Sequence, residues 1–266
     1  MNPTAFRLEI RRSRTLLIWL GIVTAAYAGF ITVFYTNVVE NADAFEDVLK
    51  LYPKELMAAF GIESNFADPG VFLGGYVYNF LWPLVASAAA IVLATRVAAD
   101  ADRGFLDIAL ATPIARLTYL VSSIVTQVVG IAILAVALVG AVIVGDLLIE
   151  PDFPTARVAL SGLHALAFGV AVAGPATVLA VVFLDRGRAA GVVAGALILM
   201  YLLNVVGALA PEFEGATAVS LFRYFDLKQL INEGSYPIVD SLIFVAVGVT
   251  GWALALYAFR RRDLAA

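Results

Sequence analysis

Six apolar runs alternate with polar connectors along the chain, and their length decides the class of fold. Residues 15–35, 71–95, 117–145, 156–184, 189–209 and 238–257 each run about 20 residues or more and are nearly free of charge, long enough for a helix to cross the hydrocarbon core of a bilayer. The pattern predicts an all-α membrane protein: one domain, residues 1–266, with six transmembrane helices. Residues 1–14 predict a short interfacial helix ahead of the first span, with Asn2 as cap, Pro3 at its first turn, and Phe6 and Ile10 on one face. Ala26-Tyr27-Ala28 resembles a signal-peptidase site, but the apolar run continues through Phe34, so the segment reads as an uncleaved span.

The connectors differ in kind. Residues 37–68 are acidic, with Phe45, Val48, Leu49 and Tyr52 on one helical face and a second turn-rich helix opened by Pro53. Tyr76, Tyr78 and Trp82 then read as interfacial aromatics at the start of the second span. Residues 211–237 carry Leu221, Phe222, Phe225 and Leu230, which predicts a short re-entrant or surface-lying helix pair. Residues 96–116, RVAADADRGFLDIALATPIAR, form the longest connector on the basic side. Within it Leu106 and Leu110 stand four apart on one helical face, and Thr112-Pro113 restarts a helix as N-cap and first residue. A short amphipathic helix across the mouth of two spans offers a docking surface for a soluble partner.

Charge orients the bundle. The chain is 62% hydrophobic and 14% charged, against about 25% charged in soluble domains. The N-terminus, the 96–116 connector, the 185–188 turn and the C-terminal tail hold twelve arginines and six acids. The other connectors hold five bases and fifteen acids, which completes the 17 and 21 of the whole chain. Basic connectors stay in the cytoplasm, so both termini and residues 96–116 are expected there, and an even number of spans agrees. The expected location is the cell membrane, as a multi-pass protein of a prokaryotic plasma membrane.

Little in the chain supports catalysis. There is no cysteine and a single histidine, which excludes thiol chemistry and leaves no His-based metal centre. No Gly-Lys pair occurs, hence no phosphate-binding loop, and no HExxH or GxSxG is present. Ser161 and His164 lie close on one helix with no second histidine to act as base, so the chain reads as no enzyme. His164 is instead a candidate pathway residue, because ionisable groups inside spans are rare and often functional. Gly187, Gly191 and Gly195 form a small-residue ridge suited to close helix packing, within the bundle or between subunits. The spans hold almost no carboxylates or lysines, which argues against a carrier driven by protons or sodium.

The segment Arg103-Gly104-Phe105-Leu106-Asp107-Ile108-Ala109-Leu110-Ala111-Thr112-Pro113-Ile114-Ala115-Arg116 resembles the pattern RGTLExLLAxPxxR of ABC-2-type permeases, the membrane subunits of ATP-binding-cassette transporters. Phe105, Asp107 and Ala109 depart from it. Tyr52-Pro53-x-x-Leu56-x-x-Ala59-Phe60-Gly61 and the terminal Phe259-x-Arg261-Arg262-Asp263-Leu264 are also similar, so the resemblance spans the chain. It implies a six-span permease that pairs with a second permease subunit, identical or not, over two ATPase subunits that hold ATP and magnesium. It implies no cofactor in this chain, no nucleic-acid partner, and membrane lipid around the spans. The segment after the second span becomes a coupling helix, with Phe105, Leu106 and Leu110 as anchors. Asp102, Arg103, Asp107 and Arg116 supply its rim charges, or bonds that hold the helix against the span ends, and Pro113 sets the restart angle of the third span. The expected activity is export of an amphipathic or apolar substrate past aromatic and apolar residues of the second and fifth spans. An ATP-independent carrier or a scaffold for an assembly complex is the alternative.

Overall fold

The computed structural model describes residues 3–51, 68–104, 116–149 and 153–261. Every regular element among them is helical. Six helices are long and apolar enough to cross a membrane, and they serve here as the first to sixth spans.

The first span is α1 (Pro3–Glu40), one unbroken helix of 38 residues and about 57 Å long. The separate interfacial helix expected over residues 1–14 is therefore the continuation of this span beyond a core about 30 Å thick. Neither Pro nor Gly lies between Arg7 and Leu20 to end the helix. The short helix α2 (Ala42–Leu49) follows. The second span starts at α3 (Pro69–Phe72), where Asp68 accepts a hydrogen bond from Val71 N and Pro69 opens the first turn. It passes through a π-helical stretch, Leu73–Leu81, into α4 (Trp82–Ala94) and α5 (Arg96–Asp102). The third, fourth and fifth spans are α6 (Arg116–Asp146), α7 (Thr155–Phe183) and α8 (Arg186–Leu209). Two 3₁₀ segments, Pro211–Val219 and Leu221–Tyr224, and α9 (Lys228–Glu233) precede the sixth span, α10 (Ile238–Arg261).

Tyr78 and Trp82 are fully buried, in contrast to the interfacial position their residue types suggest. Each brings one polar atom, and each finds a partner on the fourth span. The Ser161 hydroxyl pairs with Tyr78 Oη at 2.6 Å, and Trp82 Nε1 donates to Ala165 O at 2.8 Å. An aromatic ring whose polar tip is satisfied sits as well in the core as at the interface. The π-helical stretch sits directly over this contact, and such stretches concentrate at functional positions.

The closest helix crossing joins the fourth and sixth spans. A Cβ at Gly174 would collide with the carbonyl of Gly248, and one at Gly251 with Gly174 and Pro175. Small residues let the backbones touch, and α7 remains helical through Pro175. The fifth span lies at the other extreme: only Ala189 and Val193 are buried.

Beyond the fifth span the chain turns back into the bundle. Ser220 Oγ donates to Met200 O at 2.8 Å, nine residues before the end of α8 and so about 14 Å below it. This is the re-entrant form of the pair expected over residues 211–237, with Leu221, Phe225, Leu230 and Ile231 buried in the core. Its far end is tied to the second and fourth spans. Asn232 Nδ2 donates to Asp68 Oδ1 at 2.7 Å, Gly70 N donates to Asn232 Oδ1 at 2.9 Å, and Arg157 donates to the carbonyls of Ile231 and Asn232.

Candidate functional site

The polar chemistry among the described residues gathers where the two ends of the chain meet. Phe259 and Val97 belong to one buried apolar cluster, and Arg12 bonds to Asp100. The start of α1, the end of the second span and the end of the sixth thus share one end of the bundle, and this end carries most of the arginines.

The centre of this end is α5, bounded by two backbone features. At Thr95 the helix tightens to φ −78°, ψ 3°, and Thr95 Oγ1 bonds back to Ile91 O at 2.7 Å, a contact that bends helices. Past α5, Gly104 has φ +67°, which a residue with a Cβ rarely adopts. Along α5, charged and apolar positions face different neighbours. Arg96 reaches the first span, donating to Glu9 O at 3.1 Å and Arg12 O at 2.9 Å. Asp100 accepts from Arg12 at 3.1 and 3.2 Å and from the Tyr119 hydroxyl of the third span at 2.6 Å. Two carboxylates and two guanidiniums make the group neutral. The Glu9 and Asp100 side chains are only 7% and 10% exposed. Carboxylates this buried are stable only while paired, and removing one partner of such a pair costs about 3–5 kcal/mol.

The expected coupling residues fall in and beyond this region. Asp102 accepts a hydrogen bond from Arg186 N at 3.1 Å, which ties the end of α5 to the start of the fifth span. Arg103 is exposed, and Arg116 opens α6. Phe105, Leu106, Asp107, Leu110 and Pro113 lie outside the described residues. Among the described residues, a Cβ at Gly191 or Gly195 would touch nothing within 4 Å, and one at Gly187 would meet Asp185. Close packing within the chain is built instead on Gly174, Gly248 and Gly251.

His164 is fully buried about 14 Å inside the outer end of the fourth span. Its Nε2 stands 3.2 Å from Tyr224 O, an acceptor only, so Nε2 carries a proton. Its Nδ1 pairs with Ser241 Oγ at 2.7 Å. Phe225 stacks on the ring, and Phe244 and Tyr236 complete the surround. Both ring nitrogens are occupied in holding the re-entrant segment to the fourth and sixth spans. Ser161 bonds to Tyr78 and to Val158 O, so Ser161 and His164 serve different partners. Among the described residues no cluster of His, Asp and Glu could hold a metal ion.

Two features escaped the sequence reading. Glu9 is the only acid in a run of arginines, three residues from Arg12, and Arg96 and Asp100 stand four apart. Two opposite-charge pairs at helical spacing beside two spans were the available signal. Gln127, fully buried in the third span, accepts at Oε1 from Thr177 at 3.0 Å and from Trp252 at 3.1 Å. It joins the third, fourth and sixth spans through one amide.

Six apolar helices long enough to cross a membrane, with most of the arginines gathered at one end, define a polytopic membrane protein. The chain belongs to the family described as Multidrug efflux system permease Rv1217c, C-terminal domain, which residues 3–260 match. No curated protein matches the chain.

Proposed function

We propose that this chain is the membrane-spanning subunit of an ATP-binding-cassette exporter, working as a pair of permease subunits with two ATPase subunits at the arginine-rich end. The observation that carries the reading is the family match over residues 3–260, whose description names a multidrug efflux permease. The chain has no phosphate-binding loop of its own, so in this reading the energy comes from a separate subunit. The excess of positive charge at one end, twelve of the seventeen basic residues, puts that end in the cytoplasm, where a soluble ATPase can reach it.

The segment that follows α5 supplies the docking contact, with Phe105, Leu106 and Leu110 as apolar anchors and Asp102, Arg103, Asp107 and Arg116 at the rim. Protein contacts are dominated by a few buried anchors of this kind. The second permease subunit packs along the fifth span, whose Gly191 and Gly195 have open space before them. The cargo is amphipathic or apolar, in keeping with spans that hold almost no charge at mid-bilayer. Co-expression with an ATPase subunit encoded beside this chain tests the reading. The pair should purify together and hydrolyse ATP faster with an amphipathic cargo, and failure to co-purify counts against it.

A further inference from the structure

The first span presents two faces at its arginine-rich end. Glu9, Ser13 and Leu17 follow one another at helical spacing and are buried against the bundle. Arg7, Arg11, Arg14, Ile18 and Ile22 form a second stripe at the same kind of spacing, and every one of them is exposed. This outward stripe changes from three cations to an apolar track within one turn of helix. Trp19 stands beside the change and is 64% exposed.

The three outward arginines have no counter-ion among the described residues. Glu9 is the only acid ahead of Glu40 in the sequence, and it lies on the buried face with Arg12 and Arg96. Arg12 is paired with Asp100; Arg7, Arg11 and Arg14 face outward. Like charges one turn apart destabilise a helix, and an anion on the stripe would offset that cost.

The cover that fits this stripe is anionic at one end and apolar at the other. A second copy of this chain would set the same three arginines against these. A soluble acidic partner would meet the arginines but leave the track of Ile18, Trp19 and Ile22 without cover. A phospholipid carries both halves in one molecule. Guanidinium groups bind phosphate oxygens through paired hydrogen bonds, and the apolar track begins about 5–6 Å deeper, one helical turn past Arg14. Tryptophan is enriched at that boundary between headgroups and acyl chains.

We propose that the outward stripe of the first span is a binding site for an anionic phospholipid. The headgroup sits on Arg7, Arg11 and Arg14, and the acyl chains lie along Ile18 and Ile22. Each arginine near an anionic surface strengthens attachment about fivefold, whereas a zwitterionic lipid brings no net charge to the site. The lipid holds the outer face of the same turns whose inner face is tied to α5 through Arg12 and Asp100. The site needs no ATPase subunit and stands apart from the exporter reading.

The chain contains no cysteine, so single labels can be placed at will. A fluorophore on Ile18→Cys reports acyl chains beside the stripe; one on Val136→Cys, 72% exposed on the third span, reports lipid elsewhere. The purified chain is placed in phosphatidylcholine vesicles with a minor fraction of phosphatidylglycerol whose acyl chains carry bromine, a quencher. The comparison is the same fraction of brominated phosphatidylcholine. At Ile18 phosphatidylglycerol should be preferred by at least about fivefold, and the preference should fall as salt is added. At Val136 the two lipids should quench alike. Arg7→Gln, Arg11→Gln and Arg14→Gln together should abolish the preference, and the same three positions as Lys should keep most of it, which separates charge from folding. Equal quenching by the two lipids at Ile18, an equal preference at Val136, or a preference untouched by the three glutamines overturns the site. Loss of co-purification with an ATPase subunit in the glutamine variant, with no lipid preference in the parent, also overturns it and makes the stripe a protein contact. The assay contains no ATPase, so failure of the exporter reading leaves its result standing.

Discussion

Arg12 donates to both carboxylate oxygens of Asp100, at 3.2 and 3.1 Å, across 88 residues of sequence. This contact makes the N-terminal extension of the first span part of the base of the second. A segment that lay flat on the membrane, independent of the bundle, could not make it. The first turns of α1 therefore belong to the same packed unit as α5 and the third span.

The orientation follows from the arginines and is tested by labelling. Asp47 and Glu214 are exposed at one end of the bundle, and Arg103 is exposed at the other. Single cysteines at Asp47 and Glu214 should react with a membrane-impermeant maleimide in intact cells, and one at Arg103 should react only after lysis. Reaction of the Arg103→Cys chain in intact cells would invert the topology.

Two glycine classes should respond oppositely to the same substitution. Gly248→Leu puts a side chain against Val170, whose Cγ1 can turn away but whose backbone carbonyl cannot. A loss of about 1–3 kcal/mol or more is expected, visible as a lower melting temperature in detergent. Gly191→Leu meets open space and should change the stability of the isolated chain by less than about 0.5 kcal/mol. Its effect should appear instead as a weaker association between permease subunits in cross-linking. Equal melting temperatures for the two variants would contradict the packing described here.

His164 separates a structural role from a pathway role. His164→Phe keeps the stacking on Phe225 but leaves the Tyr224 carbonyl and the Ser241 hydroxyl without their ring partners. A buried group left unpaired costs about 1–3 kcal/mol, so the variant should melt earlier while its cargo preference stays as it was. An altered cargo preference at unchanged stability would make His164 a pathway residue after all.

The sequence announced the six spans because each apolar run is long and each connector is charged. Run length also placed the ends of the third and fourth spans to within about two residues. It said nothing of which helices touch. Gly187, Gly191 and Gly195 repeat at spacing four, which suits close packing within the bundle or between subunits, and spacing alone does not say which. Within the chain the backbones meet at Gly174, Gly248 and Gly251; Gly248, Gly251 and Ala255 share one face of the sixth span, but a linear sequence does not show that this face meets Gly174 of the fourth. The split of the N-terminus into interfacial helix and span came from a change in composition at Arg14. A helix is not obliged to break where it leaves the bilayer, and α1 does not. The ionic group of Glu9, Arg12, Arg96 and Asp100 was hidden for a related reason. Each residue reads as an ordinary charge of a basic connector until the bundle brings them together.

The coupling contact makes its own demand on Leu106. With an acid at this position the apolar ridge would carry a charge into the contact with an ATPase subunit. Leu106→Asp should leave the chain inserted and folded while it weakens assembly or frees ATP hydrolysis from cargo. Gel filtration of the mutant complex, read together with cargo-stimulated hydrolysis, checks this. Wild-type values in both would reduce the segment after Gly104 to a simple connector.

The central claim is that this chain carries cargo across a membrane on energy released by another subunit. The direct measurement is accumulation of a fluorescent amphipathic cation in sealed inverted vesicles containing the chain and its ATPase subunit. The account predicts uptake that needs ATP, needs both subunits, and stops when the ATPase cannot hydrolyse. Equal uptake with the chain alone, or none with the assembled pair across a panel of amphipathic compounds, would contradict it.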